Sequence, residues 1–566
     1  MAVNALNLQL VIKEYIIKML NEAGVGMKCL VVDDFTLNIV SSAFTQTELL
    51  QKEVFLVEKL HVDSNKKMQH LKAVCFVRPT EESVRVLCDL LRAGTYGEFF
   101  VFFSSVLAET HLQALAESDE NEAVRQVQEM YASFLAVDPT VFTLDLPRND
   151  HLLRYASLAP STRSTVIDPI VEGIASFLLS VKRRPAIRAQ SNSEIAKRVA
   201  SDVARLAYEQ EQGLFDFRRA EGASQLVILD RLDDPVTPLL SQWTYQAMIH
   251  ELIGIKNNRV RIHEKGKAQD IVVSGSGDGF FKDNMYANYG DLGTSVKRLV
   301  DDFQAVSKMN KQIDSIEDMQ RFVESFPEFR QQSGNVSKHV SLMSELSRLI
   351  GERALMAVSQ VEQEIVCGAD RAYAFASTLE KLGDPAVTST ACLKLVLLFA
   401  LRYEKEGERQ ILELQNALAK RAVEPSFVRL VRDVTRIAGE AKRVGDLFGN
   451  RTFFSRAQKA VSGLKGADNV YTQHQPLLVQ TLENISKGKA KESDYPLVGP
   501  AANAGSAQKD QRPTEIFVFI VGGITYEEAR FVAQMNESNP GTQIALGGTG
   551  ILNSAGFLTD LMKATQ

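Results

Sequence analysis

Strand-like runs fall along this chain in an order that few folds accommodate. CLVV (29–32), VFLV (54–57), AVCFV (73–77) and EFFVFF (98–103) crowd the first 150 residues, separated by helical patterns such as TEESVRVLCDLLRA (80–93). Unbroken apolar strands are buried on both faces, and their alternation with helices predicts a doubly wound parallel sheet. A second α/β signal opens at QLVILD (225–230), followed by the helical PLLSQWTYQAMIHELIG (238–254), and the strand pattern then nearly vanishes. It returns only at EIFVFIVGG (515–523) and TQIALGGT (542–549), on either side of the helical TYEEARFVAQMN. The simplest fold with that order is one α/β domain split in sequence by a helical insertion.

Within the insertion the pattern reads as helix after helix: SIEDMQRFVESF (315–326), then 337–366, then 392–422. Pro327 and Gly334 interrupt the first two, and a helix over 337–366 would span about 45 Å at 1.5 Å per residue. Leu342, Leu346, Leu349 and Met356 recur on one side of it. Such a stripe is core in a compact domain; hinged at a proline, the same helix is suited to project and offer an apolar groove to another amphipathic helix. Two stretches read as mobile loops from composition, 499–513 and the Gly-rich 265–284.

Charge and cysteine usage narrow the function classes. Sixty-four Lys and Arg against 70 Asp and Glu leave a net charge of -6, the wrong sign for tracking a phosphate backbone, so no nucleic-acid partner is expected. Five cysteines without CxxC spacing fit a reducing cytosol. The N-terminal pattern is amphipathic, unlike a signal peptide, and LKLVLLFAL (393–401) carries a Lys and falls short of the roughly 20 apolar residues of a bilayer span. Any membrane contact is therefore expected to be peripheral.

Several motifs invite chemistry and have plainer readings. LDRLDD (229–234) places Asp230, Asp233 and Asp234 beyond a strand, where they suit either a divalent cation or the capping of the next turn. Gly522-Gly523 and Gly547-Gly548 resemble halves of a phosphate turn but complete no nucleotide motif. GSGDG (275–279) reads as a flexible loop, with no helix expected after it. His250-Glu251 opens like a zincin helix, yet Gly254 stands where the second histidine belongs. KRRPAIR (182–188) reads as a solvated turn, with a phospholipid contact as the sharper option. No nucleophile, base and oxyanion site assemble from spacing, so no enzyme, catalytic residue, metal or cofactor is expected. The rival is a nucleotide- or sugar-using α/β enzyme with a carboxylate metal site at Asp230 and Asp233.

LDRLDDPVTPLLSQWTYQAMIHELIGI (229–255), VYTQHQPLL (470–478) and IFVFIVGGITYEEA (516–529) closely resemble signature segments of the SM family, the Sec/Munc proteins of membrane fusion, and most of all its endosomal vacuolar-sorting members. The resemblance runs from the first strand to about residue 550. It implies an arch-shaped α/β plus α fold with two doubly wound parallel-sheet domains, the second split by a mainly helical insertion bearing a projecting hairpin. The expected boundaries are 1–136, then 137–242 with 470–566, then 243–469 with the hairpin near 314–366. It further implies a monomeric SNARE-assembly chaperone, cytoplasmic and peripheral to endosomal, trans-Golgi and vesicle membranes. Such a protein would bind a syntaxin (Qa-SNARE), a vesicle R-SNARE and the assembled SNARE complex. Carried over by residue, Leu112, Val124, Val127 and Glu129 would line the groove for the syntaxin N-terminal peptide, and Thr45 and Glu58 would face its helical part. Pro327 would hinge the hairpin, with Ser333 and Val340 on the template surface.

Overall fold

The apolar runs at the start of the chain become a parallel sheet in a computed structural model that describes residues 6–62, 67–147, 149–217, 223–264, 267–275, 277–311, 316–368, 370–448, 471–503 and 512–566. Strands β1 (Lys28–Val32), β2 (Val54–Lys59), β3 (Met68–Val77), β4 (Tyr96–Phe103) and β5 (Val124–Glu129) pair in parallel, in the order β2-β1-β3-β4-β5. Alternate residues of the inner strands enter opposite cores. Leu30, Val74, Phe76, Phe100 and Phe102 pack with helix α1 (Leu8–Glu22) and helix α2 (Asp34–Ala43). Val31, Cys75, Val77, Phe99, Val101 and Phe103 pack with the helices Glu81–Ala93 and Glu109–Ser118. Both faces are thus covered, which is why β1 is buried along its whole length and reads as an unbroken apolar run after Lys28.

The second sheet draws strands from both sides of the insertion. It comprises β6 (Leu135–Asp138), β7 (Val141–Thr143), β8 (Ala186–Ala189), β9 (Ser224–Asp230), β12 (Leu497–Val498), β13 (Glu515–Val521) and β14 (Gln543–Gly548). Their order is β12-β8-β9-β13-β14-β7-β6. β13 lies parallel to β9, with Phe517 opposite Leu226 and Val518 opposite Val227. The sheet is mixed, because β12 and β6 join the parallel centre antiparallel. β6 and β7 are joined by a connection too short for a parallel crossover. Rings of Phe134, Phe142, Phe177 and Phe517 fill one face, Phe142 stacked on Phe177 at 4.2 Å.

Both sheets belong to one compact unit, formed from Met1–Arg231, Thr481–Ile524 and Val532–Ile551. A second unit comprises Leu232–Gln480, Thr525–Phe531 and Leu552–Gln566 and is mainly helical. Its centre is the helix Ser389–Arg402, in which every residue from Ala391 to Leu401 is buried.

Three expectations for this unit need correction. No interruption occurs at Pro327 or Gly334: one helix runs through both, from Ile316 to Glu352, and ends where Ala354 takes a left-handed φ of 48° before the helix Leu355–Cys367. An internal proline forfeits one backbone bond at about 3 kcal/mol, a penalty that a helix of this length absorbs. The helix expected over 392–422 is two, Ser389–Arg402 and Glu408–Ala419, parted at Gly407, where a Cβ would lie 2.8 Å from the Tyr403 carbonyl oxygen. Finally, 265–284 is not a loop. It holds β11 (Lys267–Val272), which pairs antiparallel with β10 (Arg259–Glu264), and the short helix Gly279–Asn284 capped by Asp278. Much of the other loop expected from composition, 499–513, lies outside the described residues; Gly499–Asn503 is a helical turn.

Candidate functional site

The carboxylates of LDRLDD are already committed as hydrogen-bond acceptors. Asp230 accepts from the Ser193 hydroxyl at 2.7 Å, and Asp233 from the Val444 backbone at 2.7 Å. Asp234 accepts from the backbone N–H groups of Val236, Thr237 and Leu477 and from the Thr237 hydroxyl. Among the described residues no group of three or more His, Cys, Asp or Glu side chains is arranged to hold a metal. The diglycines serve close packing. A Cβ on Gly522, at φ 96°, would lie 2.7 Å from the Arg231 Cβ, and one on Gly547 would overlap the Phe142 ring.

The remaining motifs are equally structural. His250 accepts from the Ile255 backbone N–H at 3.2 Å. In KRRPAIR, Arg183 grips Glu515 through two bonds of 2.6 and 2.9 Å, and the buried Arg188 donates to Glu492 and to the Tyr495 carbonyl. Arg184 stacks over Tyr208. The run therefore holds the second sheet together, contrary to its reading as a solvated turn.

Two of the exposed apolar side chains, Leu112 and Val127, belong to the last helix and the edge strand of the first sheet. β5 pairs only with β4 among the described strands, and α3 (Gln46–Gln51), α4 (Glu81–Ala93) and α5 (Glu109–Ser118) belong to the layers around that sheet. Asp119, just past α5, accepts from the backbone of Ala123 and Val124, so α5 leads tightly into β5. Leu112 on α5 is 45% exposed and Val127 on β5 is 36% exposed, whereas Val124 is half-buried against the core. Glu129 ends the strand, accepting from the Leu107 backbone at 2.7 Å and the Tyr131 hydroxyl at 2.8 Å.

Thr45 and Glu58 have structural partners. Thr45 caps α3 in a reciprocal box with Glu48, and Glu58 on β2 accepts from the Tyr96 hydroxyl at 2.9 Å. Pro327, Ser333 and Val340 share the helix Ile316–Glu352, on which Val340 is 40% exposed and Ser333 half-buried. The side chain of Pro327 lies outside the described residues.

A family model described as the Sec1 family matches residues 28–560. The chain belongs to the Sec1 family. It is 47% identical over 563 residues to the vacuolar protein sorting-associated protein 45 homolog of Arabidopsis thaliana, covering 98% of this chain and 97% of the relative. It is 42% identical over 564 residues to vacuolar protein sorting-associated protein 45 of Homo sapiens, covering 99% and 96%. A solved structure of the SM protein Vps45 in complex with the Qa SNARE Tlg2 matches with a TM-score of 0.89 at 39% identity, covering 99% of this chain and 98% of that one.

In this Sec1-family chain, two of the segments that carried the resemblance, 229–255 and 470–478, are joined by a buried polar web that no sequence motif announced. Glu362, wholly buried, accepts from the Ser241 backbone at 2.8 Å and hydroxyl at 3.0 Å, and pairs with Lys394 at 3.3 Å. Lys394 also faces Glu251 at 3.6 Å, and Glu251 receives the backbone and hydroxyl of Ser554. Gln363 accepts from the backbone of Gln473 and His474, while the His474 ring meets Thr237 at 3.1 Å. Trp243 donates to Ser359 at 2.7 Å. The only sequence signal for this web was a Lys inside an otherwise apolar helix.

Burial alone would lower the Lys394 pKa, but the carboxylates of Glu362 and Glu251 outweigh it and hold the ammonium above its ordinary value. Lys394→Met strands two buried carboxylates and is expected to destabilise the fold by about 3–5 kcal/mol, read from urea unfolding. Restoring part of that loss with Glu362→Gln in the same chain checks that charge, rather than shape, is responsible.

Burial lowers the His474 pKa, against the pull of Asp234 and Glu527. The unfolded chain therefore takes up the proton first as pH falls below about 6.5, so stability drops on acidification. His474→Gln is expected to flatten that part of the stability–pH curve, and an unchanged slope would assign it elsewhere.

Proposed function

We propose that the chain is a non-enzymatic chaperone of SNARE assembly that binds a syntaxin by its N-terminal peptide and its helical part and templates its pairing with other SNAREs. The observation that carries this reading is the match, over nearly the whole chain, to a relative solved with a Qa SNARE bound. The commitment of the LDRLDD carboxylates to structural hydrogen bonds favours it over the metal-using enzyme. In this reading 1–136 carries the peptide groove, 137–242 with 470–566 forms the second α/β domain, and 243–469 supplies the template.

The exposed Leu112 and Val127 offer the apolar part of the groove, and Glu129 offers a carboxylate to a basic residue of the peptide. Thr45 and Glu58 would face the helical part of the syntaxin, and Ser333 and Val340 a vesicle R-SNARE helix, with Pro327 as the point where the long helix yields. Two SNARE helices that are disordered alone lose entropy on pairing, and a scaffold that holds both in register lowers that barrier. Among the described residues no helix is long and apolar enough to cross a membrane, so SNAREs would bring the chain to endosomal, trans-Golgi and vesicle membranes.

Leu112→Arg places a charge in the apolar groove and is expected to weaken binding of a syntaxin N-terminal peptide by roughly tenfold or more in calorimetry. Unchanged affinity would move the groove elsewhere. Pro327→Ala restores a helical hydrogen bond and is expected to speed SNARE assembly several-fold in a fluorescence assay, with peptide affinity untouched. A rate no faster than that of the unaltered chain removes Pro327 from the mechanism.

A further inference from the structure

Along the helix Ile316–Glu352 the described side chains change character at His339, although Phe329 before it stacks on Phe303 with ring centroids 5.3 Å apart. From Phe329 to Lys338 none is buried, whereas His339, Leu342, Leu346, Leu349 and Ile350 all are. His339 is thus the first fully buried side chain of the described stretch, and it is a polar one.

Its ring is held on both nitrogens. The Tyr245 hydroxyl lies 2.8 Å from Nδ1, and Asp278 Oδ2 lies 2.9 Å from Nε2. An ionised carboxylate can only accept, so Nε2 carries the proton and donates to Asp278. Lys338, the preceding residue, reaches the same carboxylate and the Val272 carbonyl. The other Asp278 oxygen accepts from the Phe281 backbone at 3.0 Å, capping the helix Gly279–Asn284. Burial works against the Asp278 charge, but the donors from His339, Lys338 and Phe281 hold its carboxyl far below its ordinary value.

We propose that Tyr245, Asp278, Lys338 and His339 form a polar lock that fixes the rotation of the long helix about its axis and so aims the face carrying Val340 at its partner. The proposal rests on the reading of that helix as a SNARE template. Apolar anchors alone specify rotation weakly, since leucines repack with small loss when a helix turns. Directional bonds to a buried carboxylate do not survive such a turn, because each lost bond leaves a buried charge or donor unpaired. Val340 follows His339 by one residue, about 100° around the helix, so a turn of that size would carry it out of place. The four residues are positioning residues; none need touch the partner.

The test uses the full chain with Tyr245→Phe, Asp278→Asn and Val340→Asp. An amphipathic R-SNARE helix and a syntaxin N-terminal peptide serve as separate probes, alongside amide hydrogen exchange. Tyr245→Phe removes one hydroxyl and guards against misfolding of the Asp278 variant. Both lock variants are expected to weaken helix binding about tenfold and to speed exchange over 329–341, with 342–352 still protected and peptide binding unchanged. A merely structural role predicts faster exchange throughout the second unit with helix binding intact, and that outcome overturns the lock. Full binding by Val340→Asp would instead sink the template reading. Loss in Val340→Asp beside wild-type binding and exchange in the lock variants would sink the lock alone.

Discussion

A carboxylate sealed from water must be matched, and Glu362 is the point where this chain meets that demand. Removing it from solvent carries a desolvation penalty that only Lys394 and the paired donors of Ser241 offset. Lys394 in turn sits in the most buried helix of the second unit, where its own charge is tolerable because Glu251 stands on its other side. Each member therefore fixes the next, and the web reaches from the turn after β9 through two central helices to Ser554 near the C-terminus. Asp234 and His474 extend the same logic to the segment preceding Leu477. Polar groups of this kind specify one arrangement where apolar packing would accept several.

The exposed features follow from what such a core leaves over. In the first sheet the inner strands are consumed by two cores, and the edges alone keep a solvated face. Val127 is exposed on an edge strand that has no neighbour beyond it among the described strands, and Leu112 is exposed on the helix that leads into that strand. The long helix repeats the contrast: among its described side chains none from Phe329 to Lys338 is buried, and the buried stripe begins at His339. A buried interior with an accessible margin is what the proposed chaperone role asks for.

Much of this was legible in the sequence where burial was two-sided. CLVV, AVCFV and EFFVFF announced their strands because both faces are covered, and the return of strands at 515 announced the split sheet. The edge strand VRQVQE spaces its two valines three residues apart, a helical interval, so its pattern resembled a loop or helix face as much as a strand. Short antiparallel edges of two to four residues carried too few positions to show any period. The Gly-rich 265–284 looked like a linker, yet Asp278 there is a buried cap and ion-pair partner, roles that depend on residues sixty positions away.

The order of the elements, their alternation and the interruption of one sheet by helices were determined by the sequence, because hydrophobic period is a local property that each segment carries with it. Family membership was written there too, in contiguous segments. Which polar residues are buried and with whom was decided only by tertiary structure: whether Asp234 would cap or bind a metal, whether Lys394 would face solvent or two carboxylates, and where the long helix would end. Hydrogen bonds and ion pairs join groups distant along the chain, and their worth depends on the dielectric that the completed fold creates around them.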